Sequence, residues 1–347
     1  MDARARGRLL RWVLGAAVGV AALLALLTGR GELAAARTHL THPHWWGVVA
    51  MVVAETISLG AYARAQRRAL AVEAPVPTRT LFVVSLANDA LALTVPGEPV
   101  VSSAYRFAQY RRHGIPAPVA AWAIVTVMVA QAVALSGVLA LGVIVALISA
   151  AHPPAVASTV VLLVVVLVAG GVLLERSRAV RVVAAVGRPV ARVLARRGSA
   201  LAARVEGVLA HMREVRLSRG GSAAVVSWVG AAWLADGACL VAAFVTVRAP
   251  IPWSAVLLAY GLAQILAVLP LAPGGLGLVE GGLAVILVAY GTPHASAVAA
   301  VLAYRLVTYW AAAAAGWLVL GLQTRRQRRT RVGVANDDSD PGARVTP

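Results

Sequence analysis

The chain has 347 residues, of which 60% are apolar and only 13% charged, with a formal net charge of +18. Soluble domains carry closer to one quarter charged residues, so the composition excludes a soluble enzyme and identifies an integral membrane protein. All 32 basic residues are arginine, which removes Schiff-base and P-loop lysines. The single cysteine, Cys239, excludes an internal disulfide and a cysteine metal cage.

About 20 apolar residues cross a bilayer as a helix. In chain order, residues 9–27, 45–62, 119–149, 155–174, 223–247 and 295–322 meet that length. Two further apolar stretches, 80–103 (TLFVVSLANDALALTVPGEPVVSS) and 254–290 (containing ILAVLPLAPGGLGLVEGG), are interrupted near their middles by Pro and Gly. Proline lacks the N–H a helix needs and glycine has excess backbone freedom, so both stretches are expected to break there. The pattern predicts an all-α integral membrane protein with about six full transmembrane helices plus two broken re-entrant helical hairpins. The first 27 residues resemble a signal peptide in outline, but no small-residue site follows the apolar run directly, so an uncleaved first span is expected.

Arginine placement predicts orientation. Between the spans, one side holds 28 arginines and the other 3, with Arg305 inside the last span. The arginine-rich side is expected to be cytoplasmic, with both termini inside a cytoplasmic membrane. Stretch 80–103 then enters and leaves on the cytoplasmic face, and stretch 254–290 on the outer face. T-V-P-G-E at 94–98 weakly echoes L-A-P-G-G at 271–275. An inverted repeat with its site where the breaks meet fits this arrangement; two sporadic kinks in ordinary spans fit it too. The domain reading is a polytopic membrane domain over 1–325, with a cytoplasmic arginine-rich amphipathic segment at 175–222, and a polar, disordered cytoplasmic tail at 326–347.

Ionisable groups inside a span are costly and usually face a cavity with a partner or a task. The candidates are Glu55 in the second span, Asn88 and Asp89 in the first hairpin, Glu98 beside its break, Asp236 in the fifth span, Glu280 after the second break and Arg305 in the sixth span. One arginine cannot neutralise five carboxylates. In P-G-G-L-G-L-V-E (273–280), Gly274, Gly275 and Gly277 allow a sharp turn, and a helix restarting near Leu276 would aim its N-terminus into the protein. Unpaired N–H groups and a partial positive charge make such a terminus an anion site. Glu280 can cap it, and Arg305 offers a fork suited to phosphate. A structural Glu280–Arg305 pair and a ligand site are both open, and compatible.

These residues carry a family resemblance. LPLAPGGLGLVEGGLAVIL (269–287), followed by AVLAYRLVTYW (300–310), resembles the membrane domain of lysylphosphatidylglycerol synthases and their stand-alone flippase-like relatives. In that family a P-G-G-x-G-x-x-E block precedes an arginine in the next helix; Pro273, Gly274, Gly275, Gly277, Glu280 and Arg305 match it. Residues 55–64 and 88–99 look like first-half counterparts, and the resemblance covers roughly residues 10–325. Relatives carry an acidic–arginine pair in the helix after the first hairpin, where this chain offers only Gln131. The stretch after the last span is too short for a soluble aminoacyl-transfer domain, so aminoacylation by this chain alone is not expected.

Other signals lead elsewhere. His39, His42 and His44 lack completing ligands and read better as a polar loop beside an interfacial Trp45–Trp46 anchor than as a metal site. Segment 175–221 has 11 arginines and no aromatic residue to stack on bases, so anionic lipid headgroups are expected rather than nucleic acid. No cofactor or catalytic triad is indicated. The leading expectation is a flippase-like protein that translocates or binds an anionic phospholipid or phosphate-bearing carrier lipid. A membrane-embedded lipid transferase is one alternative; a scaffold for a separate lipid-modifying enzyme, soluble or membrane-bound, is another.

Overall fold

A computed structural model describes residues 43–70, 76–94, 98–149, 219–268 and 275–323. The described residues are all-helical: α1 Trp45–Leu70, α2 Thr78–Thr94, α3 Glu98–Arg112, α4 Ala117–Ile148, α5 Arg219–Thr246, α6 Val256–Val268, α7 Leu278–Ala289 and α8 His294–Arg305. Helix α8 continues through a π-helical turn, Leu306–Ala311, so that the whole element runs from His294 to Gln323. Among the described residues four helices are long and apolar enough to cross a membrane: α1, α4, α5 and the extended α8. They coincide with four of the six expected spans. The spans expected at 9–27 and 155–174, most of the arginine-rich segment and the tail lie outside the described residues.

The interrupted stretches are helix–break–helix units. Helices α2 and α3 flank Pro96 and Gly97, and α6 and α7 flank the proline–glycine run of the second stretch; in each unit the two limbs pack on one another. Helix α4 has 32 residues, about 48 Å at a helical rise of about 1.5 Å per residue. A hydrocarbon core is about 30 Å thick, so α4 must tilt or project beyond it.

Two boundaries differ from expectation. Helix α1 runs on to Leu70, and α3 to Arg112, beyond the apolar runs that begin them. Ala61, Ala63, Ala65 and Ala69 of α1 stay buried while Arg64, Arg67 and Arg68 are exposed. Helix periodicity, rather than continuous apolarity, carries α1 past the membrane core.

Helices α1 and α5 form the most extensive interface and run antiparallel. Lipid tails are as apolar as leucine, so packing between such helices rests on close backbone approach by small residues. Gly47 lies against the Thr246 backbone, where a Cβ would come within 2.6 Å of the amide nitrogen. The His44 N–H donates to the Thr246 carbonyl at 2.9 Å, and at the other end the Arg64 guanidinium lies 5.2 Å from the centre of the Trp228 ring. The outward face of α1 shows Trp46, Val49, Val53 and Ile57, as lipid contact requires.

This antiparallel pair spans two apolar clusters. One gathers Met51 of α1 and Cys239–Val247 with α6, α7 and α8; the other gathers Ala63–Leu70 of α1 and Val225 and Val229 with α2, α3 and α4. The second hairpin therefore packs at the Trp45/Thr246 end and the first at the Leu70/Gly220 end. Helix α8 links them. It starts beside α7, and its far end reaches the first hairpin, where Gly316 presses on the Leu86 carbonyl and Gln323 accepts a hydrogen bond from Tyr105 at 3.3 Å. Among the described residues the first-hairpin end carries Arg64, Arg67, Arg68, Arg111 and Arg112, against Arg248 at the other end of the α1–α5 pair.

Candidate functional site

The second hairpin turns on glycines in the left-handed region: Gly275 at φ 65° and Gly277 at φ 81°. Helix α7 begins at Leu278, two residues later than the expected restart, which puts Glu280 in its first turn. One carboxylate oxygen, Oε2, accepts the Gly277 N–H at 2.7 Å; the other, Oε1, accepts from Arg305 Nε at 2.6 Å. Glu280 thus caps its own helix, and its charge complements the partial positive charge of that terminus. Glu280 and Arg305 are only 5% and 7% exposed, a pairing that matters because a buried charge without a partner is costly. The Arg305 guanidinium also lies over the Tyr309 ring, 4.4 Å from its centre. Tyr309 belongs to the π-helical turn that starts immediately after Arg305. Such turns loosen the regular hydrogen-bond ladder and recur at functional positions.

Asp236, on α5, occupies a separate and adjoining constellation. Its Oδ2 accepts hydrogen bonds from the Tyr260 hydroxyl at 2.8 Å and Gln264 Nε2 at 2.9 Å, and its Oδ1 accepts from the Tyr304 hydroxyl at 3.0 Å. Tyr260 and Gln264 are one turn apart on α6. The neighbouring Gly237 faces the Tyr260 ring, where a Cβ would sit in ordinary contact at 3.5 Å. Tyr304 directly precedes Arg305, so one stretch of α8 serves both carboxylates. Asp236 thereby ties α5 to α6 and α8 by hydrogen bonds, with the Arg305 charge within electrostatic range. Glu55 on α1 lies within electrostatic range of both Asp236 and Asp89, so three carboxylates from three helices share one region.

The first hairpin is built differently. Gln66 of α1 is buried and relays between α3 and α2: it accepts from the Tyr110 hydroxyl at 2.5 Å and donates to Ser85 Oγ at 2.6 Å. One turn back, Arg106 Nη1 donates to the Tyr62 hydroxyl at 2.5 Å. Asn88 is buried with its Oδ1 unpartnered among the described residues.

The structure brings together Arg305, Glu280, Gly275 and Gly277, and gathers Asp236, Glu55 and Asp89 into a neighbouring region. Asn88 belongs to the first hairpin; Glu98 starts α3, and its side chain lies outside what the structure describes, as does Gly274 altogether. The sequence reading missed Tyr260, Gln264, Tyr304 and Tyr309. The Tyr260–Gln264 pair at helical spacing in an otherwise apolar helix was the available signal. It also missed Arg106, counted among loop arginines because the apolar run stops before it. Among the described residues no group of three or more His, Cys, Asp or Glu side chains is placed to hold a metal ion.

A family model described as the lysylphosphatidylglycerol synthase TM region matches residues 12–316. No curated protein matches the chain.

Proposed function

The chain belongs to the family of lysylphosphatidylglycerol synthase transmembrane regions, and from that premise we propose that it binds an anionic phospholipid, or a phosphate-bearing carrier lipid, and moves it between leaflets. The observation that carries this reading is the buried Arg305–Glu280 pair at a glycine-broken helix start, inside a bundle of apolar helices. Interrupted helices at depth are tolerated where they are buried in protein or line a cavity, and transporters place substrate sites at such breaks.

The geometry suggests how a headgroup phosphate is received. A phosphate competes with Glu280 for the Arg305 guanidinium, whose planar fork suits either anion. Glu280 is not stranded by the exchange, because its other oxygen already holds the Gly277 N–H at the α7 terminus. The π-helical turn after Arg305 supplies the local freedom for the side chain to move. Asp236, held by Tyr304 one residue away, couples that movement to α5 and α6. In this reading the arginine-rich end faces the cytoplasm, the partners are anionic membrane lipids, and the chain relocates lipid rather than chemically altering it.

The test is reconstitution into vesicles with fluorescent anionic and zwitterionic lipids, alongside Arg305→Gln. Transfer of the anionic lipid that falls at least about tenfold in the variant supports the proposal, in line with the loss of one charge-assisted contact. Lipid mass spectrometry on cells with and without the protein separates transport from transfer chemistry. A new lipid species would contradict the transporter reading.

A further inference from the structure

The two hairpins treat their buried polar groups differently, and the first leaves some of them open among the described residues. Helices α1 and α3 meet in a parallel ladder of polar rungs, four residues apart on each helix. At one rung Tyr110 bonds Gln66, and Gln66 bonds Ser85, so every group is satisfied. At the next, Arg106 uses Nη1 on the Tyr62 hydroxyl, but its Nε is enclosed and meets no acceptor among the described residues. One turn further toward the hairpin tip, Ser102 is fully buried and its hydroxyl also has no partner among the described residues. Positions four apart lie one above the other on a helix face, so Ser102 and Arg106 present two adjacent unused donors to the same side. The α1 position on the Ser102 rung is Ser58, by the same register. Satisfaction thus falls step by step from the arginine-rich end toward the break.

A buried donor without an acceptor is costly, and more so when it is charged. Two on one face, one of them cationic, specify what would relieve them: an oxyanion with several acceptor oxygens. Negative groups also face this region, since Asp89 lies within electrostatic range of Arg106. Asp89 therefore sets the local charge balance against which any anion binds.

We propose that the first hairpin holds a second anion subsite, in which Arg106 and Ser102 donate to a phosphate group, with the Tyr62 hydroxyl fixing the guanidinium. The subsite is distinct from Arg305 and lies toward the arginine-rich end of the molecule. With the Arg305 site it provides two stations for a phosphate, one at each hairpin. The same chemistry serves a lipid headgroup or free phosphate. This inference does not rest on Arg305 being a ligand site.

The experiment is native mass spectrometry of the full-length chain in detergent, titrated with short-chain phosphatidylglycerol, with and without inorganic phosphate as competitor. Wild type is compared with Arg106→Gln, Ser102→Ala and Arg305→Gln. Arg106→Gln should weaken one bound equivalent by about tenfold or more, and Ser102→Ala should weaken the same equivalent by about threefold to tenfold. Arg305→Gln should leave that equivalent unchanged. Displacement by inorganic phosphate supports the subsite and assigns it to free oxyanions; Arg106-dependent lipid binding that resists phosphate supports it and assigns it to a headgroup. Lipid and phosphate binding within about twofold of wild type in both Arg106→Gln and Ser102→Ala would overturn it. If Arg106→Gln does not fold, Ser102→Ala decides alone. Loss confined to Arg305→Gln sinks this subsite and leaves the proposed function standing; loss confined to the first hairpin does the reverse.

Discussion

The two hairpins share one plan, helix–break–helix packed at opposite ends of the α1–α5 pair, yet their polar interiors differ. In the second, Glu280 is held from both sides, by the Gly277 N–H and by Arg305. In the first, Asn88 Oδ1, Ser102 Oγ and Arg106 Nε are enclosed without partners among the described residues. The contrast separates two uses of buried charge. A closed ion pair locks a hairpin to its neighbouring helix, and removing one member leaves an uncompensated charge. Two open donors and an open acceptor add nothing through those atoms to the resting fold and are retained at a cost.

The largest expected effect comes from breaking the closed pair. Glu280→Ala strands the buried Arg305 and uncaps α7, and should cost about 3–5 kcal/mol. Unfolding in a graded denaturing detergent measures it, and the Glu280→Ala/Arg305→Ala double variant should be less damaged than the first substitution alone. If the two losses simply add, the pair is no lock.

Next in size is the Asp236 constellation. Asp236→Ala removes the acceptor from Tyr260, Gln264 and Tyr304 together. Interhelical hydrogen bonds in membranes average well under those of buried pairs in water, so the loss should be about 1–2 kcal/mol. Asp236→Asn, which keeps one acceptor oxygen, should lose less than half of that. Gly277→Ala tests the turn itself: a Cβ at φ 81° costs about 1–2 kcal/mol, and the same unfolding assay should show it. The smallest effect belongs to the first hairpin. Arg106→Gln should shift stability by no more than about 1 kcal/mol, because the lost Arg106–Tyr62 hydrogen bond is offset by removal of an unused charged donor. A loss as large as that of Glu280→Ala would erase the distinction between the hairpins.

Much of this arrangement is legible before any coordinates. The four described spans and both breaks follow from apolar run length and from Pro and Gly, because lipid leaves few backbone options. Arg305 stands out as the one arginine inside a span, and Glu280 as an acid three residues after a glycine turn. The Asp236 partners do not stand out, since tyrosines blend into apolar runs and only packing shows which hydroxyls converge. Arg106 escaped for a related reason. Sidedness counting treats every arginine beyond an apolar run as solvated, whereas α3 continues to Arg112 and carries Arg106 against α1. The family match confirms the resemblance read from residues 269–310, and with it a membrane protein of a lipid-handling family.

The central claim is that a phosphate-bearing lipid passes through the Arg305–Glu280 site. Its most direct test is leaflet-to-leaflet movement of a fluorescent anionic phospholipid in vesicles containing wild type or Arg305→Gln, with folding of both checked by size-exclusion chromatography. The account predicts transfer by wild type that falls at least about tenfold in the folded variant. Equal transfer by both proteins would contradict it and leave the Arg305–Glu280 pair as structure alone.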